Sequence, residues 1–136
     1  MKYIRTLGAA VALAACFTAV AVAAVVHGAQ WSATYIAAYN PMFGGGGVPY
    51  SGEMKLTFNH GIINGTYTST SVRPDPLRGR INLVTGTVQH GNINLAVGGG
   101  IGFTVRGTLA QDGTISGTAT KSGQFYRFLA KVKSSP

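Results

Sequence analysis

The two histidines that could ligate a metal ion, His60 and His90, occupy the same place in a repeated nine-residue sequence. The copies are F-N-H-G-I-I-N-G-T from residue 58, V-Q-H-G-N-I-N-L-A from residue 88 and A-Q-D-G-T-I-S-G-T from residue 110. Asp112 stands at this place in the third copy, and after residue 28 no further histidine, cysteine or well-placed carboxylate completes a set of ligands. A shared two-histidine site is the alternative, but we interpret all three residues as turn residues and predict no metal site.

Other catalytic chemistry has little support in the residue types. After residue 28 the chain has three acids, Glu53, Asp75 and Asp112, which leaves little room for a pair of catalytic carboxylates. The four glycines at 44–47 lack the Lys-Ser/Thr that follows a phosphate-binding loop. No G-x-S-x-G turn surrounds any serine, so none has the setting of a nucleophile. We therefore predict a protein that is not an enzyme, with no catalytic residue and no cofactor.

The basic residues suggest a different kind of chemistry. Without Lys2 and Arg5, nine of the eleven lysines and arginines remain against three acids, a net charge of +6. This excess favours either solubility or attraction to anionic surfaces. The residues that would form an outer basic face are Lys55, Arg73, Arg78, Arg80 and Arg106. The aromatic residues fall mostly on inward positions, so stacking on nucleic-acid bases is disfavoured.

Residues 1–28 read as a secretory signal peptide. Lys2 and Arg5 precede an apolar run from residue 7 to 26, and the small residues Gly28 and Ala29 follow it. Two alternatives stay open: an uncleaved membrane anchor, since 20 apolar residues can span a bilayer, and a lipoprotein acylated at Cys16. The leader predicts an exported protein, periplasmic or extracellular, or else one attached to the membrane through this segment. No cysteine remains beyond it for a disulfide.

The elements that must position any site are short strands. Beyond the leader the sequence has no helical period, many glycines and few charges, which is typical of an all-β fold. Predicted strands are 31–39, 52–59, 62–70, 80–89, 92–97, 102–110, 114–122 and 124–133. Their number and spacing predict one domain, 29–136, forming a single antiparallel up-and-down barrel of about eight strands, with a two-sheet β-sandwich as the alternative.

The repeated nonamer is best explained as a hairpin unit. Its glycines, Gly61, Gly91 and Gly113, are predicted to adopt positive φ in tight turns. A weaker copy of the turn follows at 121–123. The isoleucine two residues after each glycine restarts the inward face of the next strand, and this alternation fixes the register.

The stretch I-N-G-T-Y-T-S-T-S at 63–71 resembles a strand region of avidin and streptavidin, where G-T-Y carries a biotin-contacting tyrosine and a hydroxyl lies nearby. The matching residues here are Tyr67 and Ser69; P-L-R-G at 76–79, I-G-F-T-V-R-G at 101–107 and S-G-Q-F at 122–125 are similar to other avidin segments. The resemblance implies an eight-stranded barrel. The biotin pocket of that family has several tryptophans, whereas this chain has only Trp31, and Gly107 stands where one would be required. It therefore implies the fold more than biotin binding.

Together these observations predict an exported binding protein that holds a small, mainly apolar ligand at the mouth of the barrel. The residues expected to line the site are Tyr35, Tyr39, Tyr67, Ser69 and Phe103, with the glycines 44–47 as a movable lid. The alternative is a structural or interaction protein of the cell envelope that contacts anionic polymers or partner proteins through the basic face. Homo-oligomerisation stays open.

Overall fold

The computed structural model describes residues 30–42 and 48–134, so the leader 1–28 with Cys16 and the expected lid 44–47 lie outside the described residues. The strands are β1 (Trp31–Pro41), β2 (Tyr50–Asn59), β3 (Ile62–Ser69), β4 (Asn82–Gln89), β5 (Asn92–Val97), β6 (Phe103–Leu109), β7 (Ile115–Lys121) and β8 (Gln124–Ser134). One 3-10 turn, Gly99–Ile101, separates β5 from β6. The prediction of an all-β fold is confirmed, and within the described part of the chain no helix is long and apolar enough to cross a membrane.

The eight strands form a closed antiparallel barrel in which each strand pairs with the next along the chain. The last strand, β8, pairs with β1 and closes the barrel, with one irregularity in register at Thr34/Tyr35. The predicted up-and-down barrel is therefore confirmed, and the sandwich alternative is wrong. Closure pairs both edges that an open sheet would expose.

Alternation along each strand separates an apolar interior from a polar exterior. On β2, Met54, Leu56 and Phe58 are buried while Lys55 is exposed. On β8, Phe128 and Ala130 point inward while Arg127 and Lys131 are exposed. Side chains fill a barrel of this strand number, so the interior is the hydrophobic core.

Three hairpins have the same two-residue turn. His60, His90 and Ser122 have φ of 53°, 52° and 50°, and the glycine after each also has positive φ. Positive φ at both central residues defines the type I′ turn, whose twist matches that of paired strands. The turn at 121–123 is therefore a full copy of this unit.

The third copy of the nonamer differs from the first two. Gly113 has the predicted positive φ of 88°, as do Gly61 at 80° and Gly91 at 81°. Asp112, however, is not among the residues with positive φ. The turn is longer, since Ala110 and Thr114 still pair across it and the carboxylate of Asp112 accepts the Thr114 N–H at 2.9 Å. The prediction that Asp112 is the turn equivalent of His60 and His90 is wrong. The residue with the conformation of the two histidines is Ser122.

The two ends of the barrel are built differently. The hairpin end carries the short turns at 60–61 and 90–91 and the turn at 110–114. The loop end carries the longer connections 42–49, 70–81 and 98–102, together with the short turn at 122–123. Buried polar side chains gather at the loop end, which is therefore the place to look for a site.

Candidate functional site

An aromatic cluster fills the loop end of the barrel. Tyr39 stacks on Tyr50 with ring centroids 4.8 Å apart and lies 4.6 Å from Phe103. Tyr126 meets Tyr39 edge to face at 5.3 Å, and Tyr67 meets Phe103 edge to face at 5.4 Å. Aromatic rings from β1, β3, β6, β8 and the start of β2 therefore pack together at the loop end, and four of these rings carry phenol hydroxyls.

The 70–81 segment covers this cluster. Its Leu77 side chain is fully buried and belongs to the same apolar core. The side-chain amide of Asn82 donates to the carbonyls of Leu77 and Tyr67, both at 3.1 Å, and so fixes the segment to the end of β3. Leu77 therefore acts as an internal plug in the loop end.

A buried ion pair holds the segment in place. Asp75 Oδ1 lies 3.6 Å from Lys121 Nζ, and both side chains are almost completely buried. Ser69 and Ser71 donate to Asp75 Oδ2 at 2.7 and 3.0 Å, and the Leu77 N–H donates to Oδ1 at 3.0 Å. The carboxylate thus joins β3, the 70–81 segment and β7.

Lys121 is also surrounded by tyrosines. Its ammonium lies 3.9 Å from the centre of the Tyr50 ring and 3.5 Å from the Tyr39 hydroxyl. A cation against an aromatic face is stabilised by the negative charge density of the ring, more so when water is excluded. Aromatic rings and one carboxylate therefore replace water around this buried charge.

Hydrogen bonding decides the charge state of Asp75. Burial by itself raises the pKa of the Asp75 carboxyl, but hydrogen bonds from Leu77, Ser69 and Ser71, together with the charge of Lys121, bring it below the ordinary value. A lowered pKa in the folded state stabilises the fold above the unfolded-state value of about 4, and this contribution is lost as the pH falls through the folded-state pKa.

We therefore expect the melting temperature to fall as the pH is lowered from about 5 to about 3. Asp75→Asn should flatten this dependence more than Glu53→Gln, because Glu53 forms an exposed pair with Lys133. Thermal melts of the parent and both variants across this range test the expectation. Equal pH dependence in the two variants would contradict it.

The hydroxyl of Tyr67 is the most unusual polar atom at the loop end. It is buried and has no hydrogen-bond partner among the residues that the structure describes. Burial, followed by the nearby negative charge of Asp75, raises the pKa of Tyr67, so the group stays protonated and able to donate. The phenol lies over Gly52, where a Cβ atom would come within 2.3 Å of the ring. Glycine at this position therefore makes room for the tyrosine head.

Four of the five predicted lining residues lie at the loop end. Tyr39, Tyr67 and Phe103 form the aromatic cluster, and Ser69 lies beside it as a hydrogen-bond donor to Asp75. Tyr35 does not join them, since its hydroxyl donates to the Gly113 carbonyl at 2.8 Å at the hairpin end. It lies on the same face of β1 as Tyr39, but four residues separate the two along the strand, a distance of about 13 Å.

The five predicted basic residues do not share one face. Lys55 on β2 and Arg106 on β6 have three strands between them in either direction around the barrel. Arg78 and Arg80 lie in the 70–81 segment, as does Arg73, whose guanidinium lies 4.2 Å from the centre of the Tyr50 ring.

On the outer surface, a groove of about 280 Å³ is lined by Glu53, Lys55, Thr66, Thr68, Thr70 and Ile81.

The buried ion pair of Asp75 and Lys121, and the buried Leu77, were not predicted from the sequence. Lys121 was not selected, although it is in phase with the inward residues Ile115 and Ala119 of β7. That phase is a signal that could have identified it. Asp75 and Leu77 carry no such signal, because they lie in an irregular segment between strands.

The described residues contain no group of three or more histidine, cysteine, aspartate or glutamate side chains that could hold a metal ion. Neither a protein-family model nor a curated protein sequence matches this chain.

Proposed function

We propose that this protein is an exported, non-enzymatic binding protein that holds a small, mainly apolar ligand at the loop end of the barrel. The observation that carries the proposal is the buried Tyr67 hydroxyl, which has no partner in the described part of the chain. Leaving such a group unpaired costs about 1–3 kcal/mol, so its retention is explained if a ligand completes the hydrogen bond. The ligand then has an apolar body and at least one hydrogen-bonding group.

The ligand takes the place of the Leu77 side chain. That side chain is fully buried in the core cluster that also contains Tyr39, Tyr67 and Phe103. It can leave only if the 70–81 segment moves, and that movement separates Asp75 from Lys121. The segment therefore serves as the lid in this proposal. The resemblance of residues 63–71 to the avidin strand supports a role for Tyr67, and the missing tryptophans favour a ligand other than biotin.

Native mass spectrometry of the protein purified from its own host tests the proposal. We expect a species heavier than the bare chain, and the added mass should be released by unfolding the protein. Only the mass of the bare chain, together with no mass shift after incubation with a host metabolite extract, would contradict ligand binding.

Replacing Tyr67 with phenylalanine should have two opposite effects. The free protein should become more stable by about 1 kcal/mol, because an unpaired buried hydroxyl is removed. The fraction of protein carrying ligand should fall, because the ligand loses its hydrogen bond. Urea unfolding measures the first effect and native mass spectrometry the second.

Tyr35→Phe is the matched control for this variant. It also removes a buried hydroxyl, but one that is hydrogen-bonded at the hairpin end. It should lose about 1 kcal/mol of stability and keep its ligand. If Tyr67→Phe retains ligand as fully as Tyr35→Phe, the Tyr67 hydroxyl does not take part in binding.

A further inference from the structure

Two arginines flank a threonine on the outer surface of the barrel. Arg106 on β6 is in register with Thr118 on β7, and Thr118 is in register with Arg127 on β8. Two strand spacings separate the arginines, about 10 Å between their Cα atoms. Both side chains are exposed and long enough to converge above the threonine hydroxyl. We call these three residues the arginine rung.

The residues around the arginine rung add no negative charge. The other outward residues of the three strands include the hydroxyl-bearing Thr104, Thr108, Ser116 and Thr120, the basic Lys131, and Lys133, which pairs with Glu53. Phe125 and Leu129, on either side of Arg127 along β8, are exposed apolar residues. Asn94 on β5 and Asn40 on β1 extend the rung at either side with side-chain amides. No acid occurs at an outward position of β6, β7 or β8.

The acids of the described residues are engaged elsewhere. Asp75 pairs with Lys121 inside the loop end, and Glu53 pairs with Lys133 at 2.8 Å. Asp112 accepts the Thr114 N–H within its turn at the hairpin end. The positive charge of Arg106 and Arg127 therefore has no carboxylate to neutralise it in the described part of the chain.

We infer that the arginine rung binds phosphate groups of a linear anionic polymer. The planar guanidinium forms paired hydrogen bonds with phosphate oxygens, and the threonine hydroxyl between the arginines supplies a further donor. The outer surface of a barrel is convex, so a flat membrane touches only a narrow part of it. A flexible chain can instead follow the rung across β6, β7 and β8. This surface is separate from the ligand site at the loop end and does not depend on it.

The test measures binding of the purified protein to long-chain inorganic polyphosphate over a series of salt concentrations. We expect the double variant Arg106→Gln with Arg127→Gln to bind at least about tenfold more weakly at low salt, because two phosphate contacts are lost. The slope of log affinity against log salt should become shallower by about 1.4. Poly-glutamate, an anionic polymer of carboxylates, should bind more weakly than polyphosphate.

The matched control is Arg78→Gln with Arg80→Gln, which removes the same charge from exposed residues of the 70–81 segment. It should keep the affinity within about twofold and keep most of the salt slope. Equal weakening in both double variants would show a response to net charge alone and overturn the inference, as would a parent protein that does not bind polyphosphate. Stronger binding to phosphatidylglycerol vesicles than to polyphosphate would assign the surface to a membrane instead.

Discussion

Replacing Lys121 with methionine is expected to lower the free energy of unfolding by about 3 kcal/mol or more. Methionine keeps the length and most of the apolar volume of the side chain but removes the charge. Asp75 is then left buried among Ser69, Ser71 and the Leu77 N–H without a counter-ion. Removing one partner of a buried ion pair typically costs 3–5 kcal/mol because the remaining charge stays away from water. Urea unfolding followed by the fluorescence of Trp31, the single tryptophan of the chain, measures the loss.

Lys133→Met provides the control for this change. It makes the same substitution in an ion pair with Glu53 that is largely exposed, so it should cost less than about 1 kcal/mol. The double variant Asp75→Asn with Lys121→Met should recover much of the stability, because neither partner is then charged. A Lys121→Met protein as stable as the Lys133→Met protein would mean that the buried pair does not hold the 70–81 segment.

The fold was predictable because its determinants are local. In a strand with one buried face, apolar and polar residues alternate along the sequence. Leu56 and Phe58 are buried, whereas Lys55 and Thr57 lie on the outer face. Glycine after a polar residue marks a tight hairpin, and Gly61, Gly91 and Gly113 all adopt the predicted positive φ. Strand bounds differ from the prediction by at most two residues at any end. Pairing between consecutive strands was predictable from the same pattern, and the structure adds that β8 closes on β1.

The site was only partly predictable because it depends on contacts between distant segments. Tyr39, Tyr67 and Phe103 are inward residues near the same end of their strands, and their rings contact one another at the loop end. Tyr35 is also inward, but strand phase does not say toward which end its hydroxyl points. The pairing of Asp75 with Lys121 depends on how the 70–81 segment folds back over the barrel, and no periodicity describes that path. The basic residues were misjudged as one face because distance along the chain does not give position around a barrel.

The different construction of the two ends explains where movement should begin. The hairpin end is fixed by the turns at 60–61, 90–91 and 110–114, whose neighbouring backbone groups pair directly, as in the Val88 N–H to Gly61 carbonyl bond at 2.9 Å. The loop end is fixed by side chains, chiefly the Asp75–Lys121 pair and the amide of Asn82. Segments held by few contacts open at lower free-energy cost than the strands beneath them. The 70–81 segment is therefore expected to open without unfolding the barrel.

Inward glycines should be as important to the barrel as its ion pair. Gly107 on β6 faces Gly117 on β7 in register. A Cβ atom on Gly107 would lie 2.0 Å from the Ser116 carbonyl oxygen, and one on Gly117 would lie 2.6 Å from the Cα of Gly107. Neither residue has positive φ, so what requires glycine here is the close approach of two backbones rather than a turn. Strands that must bend sharply to close a small barrel use glycine at such points.

We therefore expect Gly107→Ala to lower the free energy of unfolding by about 3 kcal/mol, because the backbones of β6 and β7 must move apart. Gly107→Val should lower the free energy of unfolding further, because its γ-methyl groups add volume to a Cβ atom that already clashes. Gly100→Ala is the matched control, because a Cβ atom there would meet nothing within 4 Å. Urea unfolding monitored by Trp31 fluorescence compares the three variants, and a Gly107→Ala protein as stable as the Gly100→Ala protein would contradict the steric argument.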